Sequence, residues 1–528
     1  MAKNSAKNLM RGALLLSMAS LLSKILSAVY RVPFQNIVGN GGFYVYQQVY
    51  PLYGIGMTLA LSGLPNFVSK LIAEQQNPKL KIKLLQKIFI LVSLLSLGIF
   101  IVLYFKAETI AGLMGDRQLA SLIKVVAFMF LLTPFLTCLR GYFQGVFDMR
   151  PTAISQVVEQ ILRVTVILIA AGLYLHYRWN YYVMGTVAMS GALIGGLAAI
   201  IVMLPAAKKP MADLGDWQTL SQTSELPSFR VLLHQLWVEG GSLSLFAATM
   251  VILQLVDSFS VAKGLIASGL QPTAAYNLKG IYDRAQPLVQ LGLVITMAFV
   301  TALLPALSEA RKARRKYLFI KITKQLVHIA LALSAAATAG LIVLMPWINR
   351  LLFGDSEGSG TIALYMLSVM FMALINVFSS VLQSLDRFKV PTMALLAGIA
   401  FKMVFNRWFT QVFGISGSSL ITVLALAGAA FLIFLHTPSY VRQAIFDRGF
   451  IFKLTVIVFI MAIVVAIGAV VANTLFPSGR LGAGLVTLIN IGVGIVVFGY
   501  LSVKLKLLTL KEWLALPFVG KVLHKIKT

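Results

Sequence analysis

Only 17 of the 528 residues are acidic and only one, Cys138, is a cysteine. A single thiol cannot close a disulfide within the chain. The scarce carboxylates never gather into the DxD or DDxxD clusters that hold metal-bound diphosphates, and no Walker A sequence, H-E-x-x-H or paired C-x-x-C occurs. The five histidines (His176, His234, His328, His436, His524) fall on separate segments. These absences speak against a metalloenzyme, an ATP-driven pump, and a glycosyltransferase built on an acidic catalytic pair. The expectation is a non-enzyme with no cofactor and no metal.

What the chain has instead is apolar length. Hydrophobic residues make up 59% of it and charged residues only 12%, and the mean hydropathy is +0.87. A helix needs about 20 apolar residues to cross a bilayer, and fourteen runs of roughly that size recur from 10–30 to 481–503. The fold expected is all-α, a polytopic membrane protein. The net charge of +28 is no nucleic-acid footprint, because most of the 45 Lys and Arg fall in alternate loops on the side holding both termini. That bias places both termini in the cytoplasm. The basic start followed by an apolar run looks like a signal peptide. The run is too long, however, and contains Lys24, so it reads as a retained first helix.

Internal similarity organises the spans. The fourth leaves the membrane as Gln144-Gly-Val-Phe-Asp148-Met-Arg150-Pro151-Thr152, and the tenth as Gln383-Ser-Leu-Asp386-Arg-Phe-Lys389-Val-Pro391-Thr392. A cation follows inside the next helix in each case, Arg163 and Lys402. An even number of spans per repeat makes the halves parallel, related by a pseudo-twofold axis along the membrane normal, with a substrate path expected between them. The lobes are expected at 1–213 and 214–440, joined by a polar linker at 206–229, with an added pair of spans at 441–505 and a basic tail at 506–528. The tail alternates Lys with apolar residues, a pattern that suits a helix lying on the inner leaflet.

Charges inside spans are the candidate site, because burying one near a helix centre costs about 2.5–3.5 kcal/mol on insertion scales. Lys24 and Arg31 lie seven residues apart in or just beyond the first span, and Asp283-Arg284 sit near the outer end of the eighth, just before Pro287. Asp257 falls near the outer end of the seventh span and Glu239, with Gly240-Gly241, in its cytoplasmic half. One reading lets Lys24 and Arg31 snorkel to headgroups while Asp283 neutralises Arg284. The other gathers the cations around an anionic ligand in an aqueous cavity, with Asp257, Asp283 and Glu239 as partner or coupling acids. Glu159 and Arg163, at i and i+4, read as a structural ion pair. Pro51, Pro65, Pro287 and Pro305 mark places where helices bend, and Gly39–Gly42 reads as an outer-face loop.

Ser23-Lys24-Ile-Leu-Ser with Tyr30-Arg31, then Gly63-Leu64-Pro65-Asn66-Phe67-Val68-Ser69-Lys70, then Tyr282-Asp283-Arg284 through Leu304-Pro305-Ala306 form a recognisable set. They resemble the multidrug/oligosaccharidyl-lipid/polysaccharide exporter superfamily, and within it the Gram-positive branch of the MurJ-type lipid II flippases. Polysaccharide repeat-unit flippases and the stage V sporulation protein B group are close alternatives. The resemblance implies a cationic cavity for a pyrophosphate headgroup with Lys24, Arg31 and Arg284 among its cations, a groove for the polyprenyl tail on the last two helices, and alternating access. Two departures stand out: Gly42 replaces an acidic residue of Gram-negative members, and 54–61 lacks their arginine. The expected partners are a lipid-linked oligosaccharide pyrophosphate and the membrane itself, with no nucleic acid. Ion coupling to a monovalent cation through Asp257 or Glu239 and drive by the membrane potential are both open. A drug/cation antiporter of the same fold would want an acidic cavity and twelve spans.

Overall fold

A computed structural model of the chain describes residues 2–208, 226–385, 387–445, 447–477 and 479–508. Most of the linker expected at 206–229, Asp386 of the second repeat sequence, and the tail from 509 onward lie outside the described residues. Among those described, all regular structure is helical.

Among the described residues, eleven segments are long and apolar enough to cross a membrane. Two of them, 15–74 and 389–436, are broken midway by a glycine outside helical geometry, Gly39 (φ 70°) and Gly414 (φ 60°), so each supplies two crossings. An L side chain rarely adopts that backbone, and one glycine suffices to redirect the chain. The expected loop at Gly39–Gly42 is thus a single-residue bend. With Ala285–Lys312 added, the described chain carries fourteen crossings. The protein is a multi-pass, all-α membrane protein.

Packing divides the chain into two compact units: 1–283 with 406–414, and 284–405 with 415–528. This division follows contact, whereas the expected lobes follow sequence repetition, so the two need not coincide.

The first unit comprises α1 (Ala2–Val29), α2 (Arg31–Thr58), α3 (Leu64–Glu74), α4 (Pro78–Phe105), α5 (Ala107–Met114), α6 (Ala120–Gly145), α7 (Met149–Tyr177), α8 (Tyr181–Ala207), α9 (Phe229–Gln235), α10 (Gly241–Ala267) and α11 (Pro272–Asp283). Short polar side chains start several of these helices by accepting from free N–H groups. Asn77 caps α4 ahead of Pro78, Asp148 caps α7, and Asn180 caps α8. Phe34, Phe43, Tyr46, Val49, Tyr53, Phe130 and Met184 fill the core around α2.

Two π turns interrupt helices of this unit, Leu59–Gly63 between α2 and α3, and Leu236–Gly240 between α9 and α10. Pro65 has no N–H to give to the carbonyl four residues back, so the helix before it is free to widen.

The second unit holds α12 (Ala285–Lys312), α13 (Lys316–Phe353), α14 (Ser359–Ser384), most of α15 (Lys389–His436), α16 (Ser439–Ile445), α17 (Arg448–Leu475) and α18 (Arg480–Lys504). Here α13 is the central mast, packing on α12, α14, α17 and α18. Pro287 does not kink the eighth span. The chain turns at Arg284, and Pro287 follows in the first turn of α12, where a missing N–H is harmless. An apolar cavity of about 270 Å³ opens among Leu331, Phe371, Phe378, Phe431, Phe434 and Phe450.

Candidate functional site

The charged residues singled out in the sequence take up very different environments. In α1 the exposed apolar residues Leu15, Met18, Leu22, Ile25 and Val29 form one stripe. At 3.6 residues per turn, Lys24 lies about 140° round the helix from the middle of that stripe. It is exposed, yet it flanks the face on which Ser20 and Ser23 bond to Gln156 of α7. Lys24 therefore opens away from the apolar, lipid-type surface of its own helix.

Arg31 begins α2 immediately after the turn at Tyr30 and is 2% exposed. Its guanidinium lies 4.3 Å from the centre of the Tyr50 ring. Tyr30 and Tyr46 share a hydrogen bond of 3.0 Å beside it. Among the described residues no carboxylate comes within 4 Å of Lys24 or Arg31. Tyrosine rings and hydroxyls surround the Arg31 guanidinium, and the Asp283 carboxylate acts on it from beyond ion-pair distance.

The expected Glu159–Arg163 pair does not form. Glu159 takes Arg140 of α6 at 2.6 Å instead, while Arg163 turns to the Tyr53 hydroxyl, Gln160 (2.6 Å) and Ser27 (3.1 Å). Shared helix face permits an i,i+4 pair, but better-placed groups on neighbouring helices win. Arg163 thus adds a third cation to the first unit held without a carboxylate.

Asp283 does not neutralise Arg284 either. It pairs with Lys279, one turn earlier on α11, at 2.5 Å, and both are buried. In the sequence Lys279 stands at the very edge of the eighth span; α11 starts at Pro272, which places Lys279 about two turns inside the helix. Asp257 is likewise deeper than expected, since α10 runs on to Ala267. It accepts from the Tyr282 hydroxyl and from Asn406, each at 3.0 Å, and Asn406 also donates to Ser260 at 2.6 Å. Glu239, in the second π turn, is bridged to Lys70 of α3 at 2.7 Å.

Arg284 belongs to the second unit. Its two Nη atoms donate to both oxygens of Asp355, at 2.6 and 2.9 Å, and Nη1 also reaches Asn349 at 3.3 Å. Partial burial pushes the Asp355 carboxyl up, but the Arg284 fork and the Glu357 N–H prevail and hold it below the usual carboxylate range. A depressed acid stabilises the fold above its unfolded pKa, and the contribution disappears as pH falls through the folded value. Acidification should therefore lower the melting temperature of the wild-type protein more than that of Asp355→Asn. Equal pH dependence in differential scanning fluorimetry would contradict this.

The first unit thus presents Lys24, Arg31 and Arg163 without carboxylate partners, beside a neutralised Lys279–Asp283 pair and an acid, Asp257, ringed by donors. Such an arrangement suits an anion. Residues 9–311 match the family model described as polysaccharide biosynthesis protein. A Bacillus subtilis (strain 168) protein described as uncharacterized membrane protein YabM is 36% identical over 516 residues, covering 97% of this chain and 95% of its own. The lipid II flippase MurJ of the same organism is 23% identical, covering 95% and 96%. A solved structure of a lipid II flippase MurJ in an inward closed conformation superposes with a TM-score of 0.66 at 17% identity, over 93% of this chain and 98% of that one. The matched relatives whose printed names give an activity are flippases rather than enzymes, in keeping with a non-catalytic protein. The chain belongs to the polysaccharide biosynthesis protein family of multi-pass membrane proteins.

Proposed function

We propose that the protein is a flippase that carries a polyprenyl-pyrophosphate-linked glycan across the bacterial cytoplasmic membrane, with lipid II as its substrate and both termini in the cytoplasm. The observation that carries this reading is the pair Lys24 and Arg31, two cations within the membrane-spanning segment 15–74 with no carboxylate within 4 Å among the described residues. A diphosphate headgroup supplies the close counter-charge that this pair lacks, and Arg284 is the third cation assigned to it. Similarity to MurJ over nearly the whole chain supports the same substrate class. Outward movement of an anion is favoured by an inside-negative potential, about 2.3 kcal/mol per charge per 100 mV. The apolar cavity of the second unit, lined partly by α17, offers the polyprenyl chain a surface as apolar as lipid.

The test is translocation of fluorescent lipid II in vesicles containing the purified protein. A charge-assisted bond to a phosphate is worth about 1.5–3 kcal/mol, so Lys24→Ala or Arg31→Ala should slow transport by about tenfold or more. Both variants should still insert and elute as the wild type does. Transport at the wild-type rate in both would remove these cations from the mechanism, and transport of a cationic drug in place of lipid II would favour an antiporter.

A further inference from the structure

Of the three cations assigned to the headgroup, Arg284 is the one already engaged. A carboxylate held by both arms of a guanidinium occupies the same donor pair that a phosphate would use. The two partners differ in setting: Arg284 is 1% exposed, whereas the Asp355 side chain is 46% exposed. The pair can therefore be approached from the Asp355 side. Asp355 rides on a short connection between α13 and α14 flanked by two positive-φ glycines, Gly354 (φ 90°) and Gly358 (φ 68°). Rotation at those glycines can withdraw the carboxylate without unwinding either helix.

An independent observation comes from the last helix pair. Arg480, the first residue of α18, donates from Nε to the Leu351 carbonyl (2.7 Å) and from Nη2 to that of Leu352 (2.6 Å). These are among the last four carbonyls of α13, the groups a helix end offers to partners outside itself. Trp347 of α13 also donates to Asn473 of α17 at 3.1 Å. The pair α17–α18 therefore grips the end of α13 that carries Asn349 and leads directly into Asp355.

We propose that Asp355 is a displaceable counter-anion, occupying Arg284 until a phosphate of the lipid-linked substrate replaces it, and that α17 and α18, through Arg480, set how firmly it is held. This rests on the flippase reading and gives the last two helices a role in headgroup recognition. The displacement moves no proton and breaks no covalent bond; one anion replaces another on the same fork.

The probe is inorganic pyrophosphate titrated into the purified full-length protein by calorimetry. Asp355→Asn should bind it about tenfold more tightly than wild type, and adding Arg284→Ala should abolish that gain. Arg480→Ala should give part of the gain. In the unmodified protein, pyrophosphate should speed hydrogen exchange at the Glu357 amide, which loses its acceptor when Asp355 leaves; this arm needs no variant to fold. Unchanged affinity in Asp355→Asn, a gain that survives loss of Arg284, or unaltered exchange at Glu357 would overturn the displacement. Unchanged affinity in Arg480→Ala would remove the last helix pair from it. Pyrophosphate binding that needs Lys24 and Arg31 but ignores Asp355 leaves the flippase reading standing alone, and absence of binding in every variant removes both.

Discussion

Arg140→Met should cost about 3–5 kcal/mol, the penalty for stranding one member of a buried ion pair. The Arg140 side chain is fully buried and that of Glu159 nearly so. The guanidinium has two further tasks: Nε donates to Ser155, and Nη1 donates to the carbonyl of Ala60 at 3.1 Å. Ala60 lies in the π turn Leu59–Gly63, where the widened helix displaces carbonyls from their usual partners. Arg140 thus compensates an acid on α7 and satisfies an interruption between α2 and α3 at once. The Lys variant restores charge but not the planar fork, so it should recover only part of the loss. Pairing Arg140→Met with Glu159→Gln should recover more than either change predicts singly, because no charge is left buried alone. Thermal unfolding of the four proteins in one detergent measures this. Additive losses in the double variant would mean that the pair is not the source of the stability.

The fourteen crossings were legible because length and apolarity alone decide whether a helix spans a bilayer, and the chain spells both out. Lys24, Arg31, Asp257 and Asp283 were found for the same reason: a charge in an apolar run is conspicuous. Their partners were not. Pairing across helices depends on rotation and depth, and a sequence displays neither, so the nearest charge in the chain looked like the natural partner. Chain proximity suggests Arg163 for Glu159 and, in one of the two readings, Arg284 for Asp283, whereas Arg140 and Lys279 hold those acids. Asp355 is invisible in the sequence, since an acid in a short exposed connection carries no sign of the arginine it reaches 71 residues away. Lys279 was recoverable: Pro272 announces a helix start, and Lys279 and Asp283 then stand one turn apart. The tyrosines around Arg31 and Arg163 gave no signal, because aromatic residues are ordinary in any membrane span.

Gly280→Ala sets two effects of opposite sign against each other. Alanine in place of glycine within a helix is normally favourable by about 1 kcal/mol. At position 280 the added methyl would overlap the carbonyl oxygen of Asn40, and it would stand only 3.0 Å from the carbonyl carbon. Asn40 follows the bend at Gly39, which turns its backbone toward α11. Its oxygen is backbone and cannot rotate aside, so overpacking of about 1–3 kcal/mol outweighs the helical gain. The expected result is that α11 lifts from α2, loosening the stack of Tyr276 on Tyr44, whose ring centres lie 4.4 Å apart. Ile281, buried at 2%, reports the movement. In a Cys138→Ser background, Ile281→Cys should react with a membrane-impermeant maleimide about fivefold faster when Gly280 is alanine, the change expected from 1 kcal/mol of lost packing. On the proposed function, lipid II transport should fall as well, since Lys279 and Asp283 ride on the same helix. Slower labelling with unimpaired transport would show that helix propensity governs this position and that the contact with Asn40 yields freely.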